Sequence, residues 1–466
     1  MASALDQIRA LQTAAARLSS RKQLVDAGRR LCKLYAFEDA LACFRRAVGS
    51  GGSELTANEW LAVARLWFRH GRFEIALEFV DHALRNDAGS EHAMIIRAEL
   101  LERLGRGGEA GEQLRQIGRD SVWRPRACRL SGRMLRQEAA LDDAEQTLLD
   151  CLREREWPDS WRLLHELARV LDAQNRYDEA MRRLAQAKAL IKAAVQKHNY
   201  PLQLERVARR QTEATALLTN ERLTAWRGRA ESCQPLPEIG ILTGFPRSGT
   251  TLVERALECQ LGCHATDESG VLLNEFRDPL LFEADSGADY IAELDGYRSE
   301  ELDAGRAEYL RCTEACLGGF RGGRTLIEKE PMLTADLAIP LFLLPEAKLL
   351  IMLRDPRDVI VSYFFAIAPL AWHSSPAANL AYTFAHYART MAHWLHLREA
   401  LSGQAREIRY EDFVHQPEGT LGKLRSFLRL AVDDNRTAIS QRVSRTPNYS
   451  ELRRPVSTSS VGRWRN

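Results

Sequence analysis

The sequence of 466 residues has no long apolar run and almost no net charge. No stretch reaches the roughly 20 apolar residues that a membrane-spanning helix needs. A formal net charge of +2 is too small to indicate nucleic-acid binding from bulk charge. Residues Met1–Asp6 have no basic stretch leading into an apolar one, as a secretion signal would. We therefore expect a cytoplasmic protein that binds neither membrane nor nucleic acid.

Closely spaced cysteine pairs are also missing. The nine cysteines are scattered along the chain, and their odd number favours reduced thiols over a disulfide framework. Cys259 and Cys263 are four residues apart, as are Cys312 and Cys316, whereas a zinc site usually has the tighter C-x2-C spacing. We interpret all four as buried structural cysteines and predict no metal.

The length predicts two or three domains, and a repeat accounts for the first of them. Within residues 1–190, a small residue is followed twelve positions later by alanine, five times over. The pairs are Gly28/Ala40, Ala64/Ala76, Ala98/Ala110, Gly132/Ala144 and Ala168/Ala180. Successive second members are separated by 36, 34, 34 and 36 residues. This period predicts stacked helix–turn–helix units whose helices touch at the small residues.

The repeat resembles the tetratricopeptide repeat. The resemblance implies an α-helical solenoid of about five repeats over residues 1–190, with a groove that holds an extended peptide or a partner helix. A rigid platform or a homodimer surface is the alternative role, and an irregular helical bundle is the alternative fold. Residues 191–235 are predicted as a capping helix and linker, since Pro235 and Pro237 then break the helical pattern.

A glycine-bearing loop follows the first apolar run after this boundary. Residues 244–251 read Gly-Phe-Pro-Arg-Ser-Gly-Thr-Thr, between a predicted strand and a predicted helix. Gly244 and Gly249 have the G-x4-G spacing of a P-loop, in which loop N–H groups and a helix N-terminus hold a phosphate. The lysine expected next is missing, because Thr250 stands there. The loop therefore indicates a phosphate ligand but argues against ordinary ATP or GTP hydrolysis.

Residues 236–466 alternate short apolar runs with amphipathic stretches, which predicts an α/β domain with a central parallel sheet. The predicted strands are Ile239–Thr243, Thr325–Glu328, Leu349–Leu353 and Ala405–Tyr410. The predicted helices are Thr250–Cys259, Ala304–Leu317, Leu333–Leu344, Arg357–Ala366, Tyr382–Leu401 and Thr420–Leu428.

A second phosphate site is predicted where the third strand ends. Arg354 follows the apolar strand, Pro356 begins a helix, and Ser362 lies in that helix. A guanidinium fork and a hydroxyl are both donors to phosphate oxygens. The alternative is a surface salt-bridge cluster among Arg354, Asp355, Arg357 and Asp358. With the first loop, the two sites would suit a nucleotide that carries phosphate at both ends of its ribose.

The two motifs together resemble those of the sulfotransferases, over about residues 236–466. These enzymes transfer a sulfuryl group from 3′-phosphoadenosine 5′-phosphosulfate (PAPS) and release 3′,5′-ADP. The resemblance implies that the first loop holds the 5′-phosphosulfate and that Arg354 and Ser362 hold the 3′-phosphate. The loop residues that carry this role over are Arg247, Ser248, Gly249, Thr250 and Thr251.

The positions of one acid and one lysine are similar to those of the tyrosylprotein sulfotransferases. Glu268 lies 21 residues after Arg247, and Lys329 begins a Lys-x-Pro triplet. The resemblance implies that Glu268 is the base toward the acceptor and that Arg247 and Lys329 stabilise the transferred group. Asp267 and His264 are alternative bases. No metal is required, because cations already hold the leaving nucleotide.

The C-terminal stretch Pro455–Trp464 resembles the late loop that folds over the nucleotide in this family. Arg463 and Trp464 suit phosphate pairing and stacking. A serine contact would come from Ser457, Ser459 or Ser460, and the sequence does not choose among them.

We therefore predict PAPS-dependent transfer of a sulfuryl group to a protein or peptide tyrosine, with the repeats recruiting the substrate or a partner. Two alternatives remain. One is sulfation of a carbohydrate, lipid or small molecule, and the other is a non-catalytic scaffold with a nucleotide-sensing domain. The sequence does not identify the acceptor.

Overall fold

The computed structural model describes residues 4–50, 55–319, 324–366, 371–430 and 457–465. The chain divides into two compact units, and the first boundary between them falls between Ala187 and Lys188. The described part of the first unit is helical, and the second unit contains a five-stranded parallel sheet. The predicted order, a helical N-terminal region followed by an α/β domain with a parallel central sheet, is confirmed.

The helices of the first unit form consecutive pairs after a leading helix. They are α1 (Ala4–Ala16), α2 (Arg21–Lys33), α3 (Phe37–Gly49), α4 (Ala57–Arg69), α5 (Phe73–Asn86), α6 (Glu91–Arg103), α7 (Gly107–Arg115), α8 (Arg124–Gln137), α9 (Leu141–Glu154), α10 (Ser160–Ala173) and α11 (Tyr177–Lys197), which runs past the unit boundary. Each predicted pair of small residues falls on the two helices of one pair, α2/α3 through α10/α11. All ten small residues are buried.

Close approach of the paired helices explains the small residues. A Cβ atom added to Gly28 in α2 would lie 2.7 Å from the Phe44 ring of α3. A Cβ atom on Gly132 in α8 would likewise lie 2.9 Å from Leu148 of α9. Both distances are shorter than packed carbon atoms tolerate, so the helix contact requires glycine at these positions.

Replacing Gly28 with alanine should destabilise the first unit by about 1–2 kcal/mol, because overpacking against Phe44 outweighs the better helix propensity of alanine. Gly111 is the matched control, since its added Cβ would meet only Arg115 Nη1 at 3.7 Å. Gly111→Ala should stabilise by about 0.5–1 kcal/mol. Urea unfolding followed by helical circular dichroism measures both, and equal effects of the two substitutions would contradict the close-approach argument.

Ion pairs connect successive helix pairs of the first unit. Their members are about one repeat apart in sequence: Arg45–Glu78, Arg133–Glu102, Arg136–Glu166 and Arg176–Glu145. The Glu166 side chain is only 1% exposed. Burial alone would raise its pKa, yet Arg136 and neighbouring arginines lower the pKa to about 2. The carboxylate is therefore charged and paired inside the helical unit.

The sheet of the second unit has the strand order β2-β3-β1-β4-β5, with all neighbours parallel. The strands are β1 (Ile239–Gly244), β2 (His264–Ala265), β3 (Leu326–Lys329), β4 (Lys348–Leu353) and β5 (Ala405–Arg409). The four predicted strands are present with ends shifted by at most one residue. The two-residue strand β2 was not predicted, because two residues show no periodicity.

The helices of the second unit surround this sheet. They are α12 (Tyr200–Ala216), α13 (Asn220–Ala230), α14 (Thr250–Leu261), α15 (Asp278–Glu283), α16 (Gly287–Gly296), α17 (Ser299–Leu317), α18 (Ala338–Leu343), α19 (Pro356–Phe364), α20 (Leu380–Leu397), α21 (Tyr410–His415) and α22 (Pro417–Leu428). A π-helical turn spans Leu272–Arg277, and 3-10 turns span Pro331–Ala335, Trp372–Ala378, Thr458–Ser460 and Arg463–Arg465. Helices α12 and α13, from the predicted linker region, pack on α16 and α18 within this unit.

One predicted helix of this unit was wrong. Leu333–Leu344 was expected to be continuous, but the chain forms a 3-10 turn and then α18. Asp336 separates them with a non-helical backbone, φ −154° and ψ 88°, so the helical hydrogen bonds cannot continue through it. Its neighbours are apolar and buried, which produced a helix-like pattern without a helix.

The four cysteines weighed as possible ligands are all 2–3% exposed, and the nine cysteines of the chain form no disulfide. They lie in helical and sheet packing, as predicted for structural cysteines. Among the described helices, none has the length and apolar character to cross a membrane.

Candidate active site

Three predicted motifs meet at the carboxyl edge of the sheet. The glycine-bearing loop follows β1, Lys329 is the last residue of β3, and Arg354 comes directly after β4. Since β1 lies between β3 and β4, the loop is flanked by the lysine on one side and the arginine on the other. Ligands of parallel α/β sheets bind at this edge.

The loop has a backbone that few sequences could adopt. Arg247 and Gly249 have φ values of 77° and 104°, in the left-handed region that non-glycine residues seldom occupy. A Cβ atom on Gly249 would lie 2.5 Å from the Tyr410 ring, and one on Gly244 would lie 2.8 Å from the Met352 carbonyl oxygen. Both glycines are therefore needed for the close approach of the loop to β4 and α21.

A buried hydroxyl group of the loop is available for a ligand. Ser248 is 1% exposed, and its Oγ has no hydrogen-bond partner among the described residues. Leaving a buried hydroxyl unpaired is unfavourable in a folded protein. Helix α14 begins at Thr250, two residues after Ser248. A hydroxyl and a helix N-terminus both favour an anionic oxygen, so the donor set fits a phosphate or sulfate group.

Lys329 is the centre of a buried charge cluster on the β3 side of the loop. The lysine is 0% exposed. Its Nζ donates to Glu268 Oε1 at 2.8 Å and to Thr251 Oγ1 at 3.2 Å. Glu254 Oε2 lies 3.3 Å away and Asp267 Oδ1 lies 4.0 Å away. The predicted catalytic pair, Glu268 and Lys329, is thus in direct contact.

The carboxylates determine the charge of this lysine. Burial alone would lower the pKa of Lys329, but Glu254, Glu268 and Asp267 together raise it above the usual value. Burial raises the pKa of Glu254 to about 7, although Lys329 opposes this effect. Lys329 therefore carries its charge at neutral pH, whereas Glu254 is close to its titration midpoint.

The turn that carries Glu268 is held in an unusual conformation. Asp267 and Glu268 have φ values of 52° and 59°, so both are left-handed without being glycine. The Asp267 side chain is 8% exposed, whereas the Glu268 side chain is 30% exposed. Of the two neighbouring acids, Glu268 is therefore the more accessible.

The alternative base His264 lies farther from the cluster. It pairs with Leu326 in the β2–β3 register, three residues before Lys329. Three residues of strand correspond to about 10 Å. The geometry therefore favours Glu268 over His264 as the group beside Lys329.

Arg247 contacts the β4 side of the loop. Its Nε donates to Ser362 Oγ at 3.0 Å, and its carbonyl oxygen accepts from Arg354 Nη1 at 3.1 Å. Arg354 also lies over the Tyr410 ring, 4.4 Å from its centroid. The arginine that was predicted for both catalysis and nucleotide binding is thus bonded to the predicted 3′-phosphate residues.

The C-terminal residues 457–465 pack against the start of α19. The carbonyl oxygen of Ser460 accepts from Arg354 Nη2 at 2.5 Å. The Asp358 carboxylate accepts from the backbone N–H groups of Gly462 at 2.7 Å and Trp464 at 2.9 Å. The guanidinium carbon of Arg357 lies over the Trp464 ring, 3.6 Å from its centroid.

These contacts bear on the salt-bridge alternative and on the three candidate serines. Both ion pairs of the alternative salt-bridge cluster are present, Arg357–Asp355 at 2.6 Å and Arg354–Asp358 at 4.0 Å, but the second is buried, with side chains 8% and 0% exposed. Of the three candidate serines, Ser460 reaches Arg354, through its backbone carbonyl. The Ser457 hydroxyl instead donates to Ser459 at 2.9 Å. The Arg463 side chain is exposed.

Sequence reasoning missed three residues of this edge. Glu254 contacts both Lys329 and the Glu268 turn, Asp358 anchors the C-terminal residues, and Tyr410 packs on Gly249 and Arg354. Asp358 belongs to the second motif and to the alternative surface cluster, but no contact with the C-terminal residues was predicted for it. Glu254 and Tyr410 belong to no short motif. For Glu254, the only signal in the sequence was an acidic residue at a helical position that would be buried.

Residues 241–434 match the profile described as the sulfotransferase family. The C-terminal region of the chain therefore contains a sulfotransferase-family domain, which supports sulfuryl transfer as the general reaction. No curated protein matches the chain.

Three solved structures are similar to parts of the chain, all at low identity. The sulfotransferase domain of the Synechococcus PCC 7002 olefin synthase is 19% identical, with a TM-score of 0.32, and the match covers 51% of this chain and 90% of that one. The sulfotransferase domain from the curacin biosynthetic pathway is 18% identical, with a TM-score of 0.30, over 50% and 92% of the two chains. Pseudomonas aeruginosa pilF is 19% identical, with a TM-score of 0.28, over 42% and 92%.

Proposed function

We propose that the chain transfers a sulfuryl group from PAPS to a hydroxyl acceptor, most specifically the phenol of a protein or peptide tyrosine. The observation that carries the proposal is the pair of clusters on either side of one anion-binding loop. Glu268 and Lys329 lie on the β3 side, and Arg354 and Ser362 lie on the β4 side. One side supplies a base and a cation, and the other supplies donors for a second phosphate.

The two sides would have different tasks. When bound, PAPS supplies an activated sulfuryl group on a good leaving group. Ser248 and the α14 N-terminus would hold its phosphosulfate oxygens, and Arg354 would hold the 3′-phosphate. Glu268 would take the proton of the acceptor hydroxyl, and Lys329 would stabilise negative charge on the transferred group.

Two features support a protein or peptide acceptor. The Glu268 side chain is 30% exposed, so an acceptor hydroxyl could approach it from solvent at the edge of the sheet. The helical pairs of the first unit are of a kind that presents peptide-binding grooves, and we propose that they recruit the protein substrate or a partner. Sulfation of a carbohydrate, lipid or small molecule is the outcome that would replace the tyrosine assignment.

Replacing Glu268 with glutamine should reduce kcat about 100- to 10,000-fold, because the amide cannot accept the acceptor proton. The KM for PAPS should change little, since Glu268 lies opposite the nucleotide donors. Transfer of label from [35S]PAPS to a panel of tyrosine peptides, glycans and small phenols measures the loss. The same panel, with a host lysate, identifies the acceptor.

Glu275 provides the matched control, since it is an exposed glutamate seven residues later. Glu275→Gln should retain wild-type transfer. Wild-type activity in Glu268→Gln would refute the base assignment. If the wild type binds 3′,5′-ADP but labels no acceptor, the non-catalytic scaffold becomes the better reading.

A further inference from the structure

Glu254 connects three parts of the candidate site. It lies one turn into α14, the helix that begins at the anion-binding loop, and it is 1% exposed. Its Oε1 accepts the backbone N–H of Asp267 at 2.9 Å. Its Oε2 is 3.3 Å from Lys329 Nζ. One side chain thus contacts both the turn that carries Glu268 and Lys329, the lysine that donates to Glu268.

The contact to Asp267 acts on the conformation of the base. Asp267 and Glu268 are both left-handed, which is unfavourable for side chains other than glycine. A hydrogen bond to the Asp267 N–H stabilises this turn. Without it, the turn could relax toward common backbone angles and carry the Glu268 carboxylate away from Lys329.

The contact to Lys329 acts on charge. During turnover Glu268 would take a proton and lose its negative charge, which removes the closest partner of Lys329. Glu254 and Asp267 are the acids that would then remain beside the lysine, at 3.3 Å and 4.0 Å. Glu254 is the closer of these two and would keep the lysine in place while it faces the transferred group.

We propose that Glu254 is a positioning residue of the sulfuryl-transfer site, which fixes Lys329 and the Glu268 turn relative to each other. This inference rests on the proposed function. It assigns no contact with substrate or nucleotide to Glu254, because its two carboxylate oxygens are directed at Asp267 and Lys329.

Two substitutions separate the two contacts. Glu254→Gln keeps an oxygen that can accept from Asp267 and removes the charge, whereas Glu254→Ala removes both. Glu254→Gln should lower kcat about 10-fold and Glu254→Ala about 100-fold, because small displacements of reacting groups have effects of this size. The KM for PAPS and the affinity for 3′,5′-ADP should remain within about threefold of wild type.

The pH dependence distinguishes positioning from simple packing. Wild-type kcat should fall as pH is lowered through about 7, where Glu254 takes up a proton. This fall should be absent in Glu254→Gln, whose kcat is already low. Glu258→Gln is the matched control on the same helix, since Glu258 pairs with Arg255 at 3.7 Å, and it should keep the wild-type profile.

Amide hydrogen exchange tests the turn without requiring activity. The Asp267 amide should exchange at least about 10-fold faster in Glu254→Ala than in wild type, and near the wild-type rate in Glu254→Gln. Wild-type kcat and pH profile in Glu254→Gln, or an unchanged Asp267 exchange rate in Glu254→Ala, would overturn the inference. If the alanine variant does not fold, the glutamine variant decides alone. If the exchange rates are as expected but the wild type transfers nothing from PAPS, the proposed function is refuted. The contact between Glu254 and the Asp267 amide is still supported in that case.

Discussion

Replacing Lys329 with methionine should abolish measurable sulfuryl transfer, with a loss of about 1,000-fold or more in kcat. The lysine is the only cation in contact with Glu268 among the described residues, and a positioned donor to a developing charge is worth roughly 100- to 1,000-fold by itself. The substitution also removes the 2.8 Å contact to Glu268, the proposed base. Transfer of label from [35S]PAPS measures the effect.

The same substitution should lower the free energy of unfolding by about 3–5 kcal/mol at pH 8, because it leaves buried carboxylates without their cation. The effect should be smaller at pH 6. The pKa of Glu254 is about 7 in the folded protein against an ordinary value of 4.5, so the folded state binds more protons between these values. Stability contributed by this group therefore falls as pH rises through that window. Removing Lys329 raises the pKa of Glu254 further, so the loss of stability with rising pH becomes larger and continues to higher pH.

Lys348 is the matched control for both measurements. It is the first residue of β4, at the amino end of the strand, whereas the candidate site lies at the carboxyl ends. Its Nζ donates to the Phe427 carbonyl oxygen at 2.6 Å. Lys348→Met should retain transfer activity. Urea titrations of both variants at pH 6 and pH 8 give the comparison. Equal stability of Lys329→Met and wild type at pH 8 would contradict the buried-charge argument, and 3′,5′-ADP binding shows whether the variant is folded.

Replacing Arg354 with alanine should weaken 3′,5′-ADP binding about 10- to 100-fold and leave 5′-AMP binding within about twofold. One charge-assisted hydrogen bond contributes about 1.5–3 kcal/mol, and each 1.4 kcal/mol corresponds to tenfold in affinity. The Arg354 side chain is 8% exposed, and its Nε has no partner among the described residues. The guanidinium is therefore positioned to donate to a ligand.

The two nucleotides provide an internal control, because they differ by the 3′-phosphate alone. Isothermal titration calorimetry of wild type, Arg354→Ala and Ser362→Ala measures both affinities in each protein. The serine variant checks the same side of the site without removing the Arg354 contact to the Ser460 carbonyl. Equal wild-type affinity for the two nucleotides would contradict the two-phosphate assignment. An equal loss of affinity for 3′,5′-ADP and for 5′-AMP in Arg354→Ala would also contradict it.

The parts of the site that were predictable lie in contiguous stretches. The loop at 244–251 and the Arg354–Ser362 pair each combine an apolar strand, a turn and a helix start, and the carboxyl-edge rule brings them together. Glu254 was not predictable in this way. It looks like one glutamate in an amphipathic helix, while its partners Asp267 and Lys329 are 13 and 75 residues away.

Backbone conformation limited the rest of the prediction. The left-handed angles of Arg247, Asp267 and Glu268 depend on tertiary contacts that no local propensity encodes. The break at Asp336 was not predicted for a related reason. The residues on both sides of it are apolar and buried, so the hydrophobic pattern does not change where the 3-10 turn ends. The helical pairs were predictable because their contacts are local and repeated every 34–36 residues.

The strand order has a consequence for how the chain folds during synthesis. The central strand β1 pairs with β3 and β4, which leave the ribosome about 90 and 110 residues later, so β1 stays unpaired for several seconds at 5–20 residues per second. The helical pairs make mainly local contacts and can form as they emerge. The apolar strand β1 is therefore open to misassociation in a nascent chain until β3 and β4 emerge, whereas the helical pairs before it can already have formed.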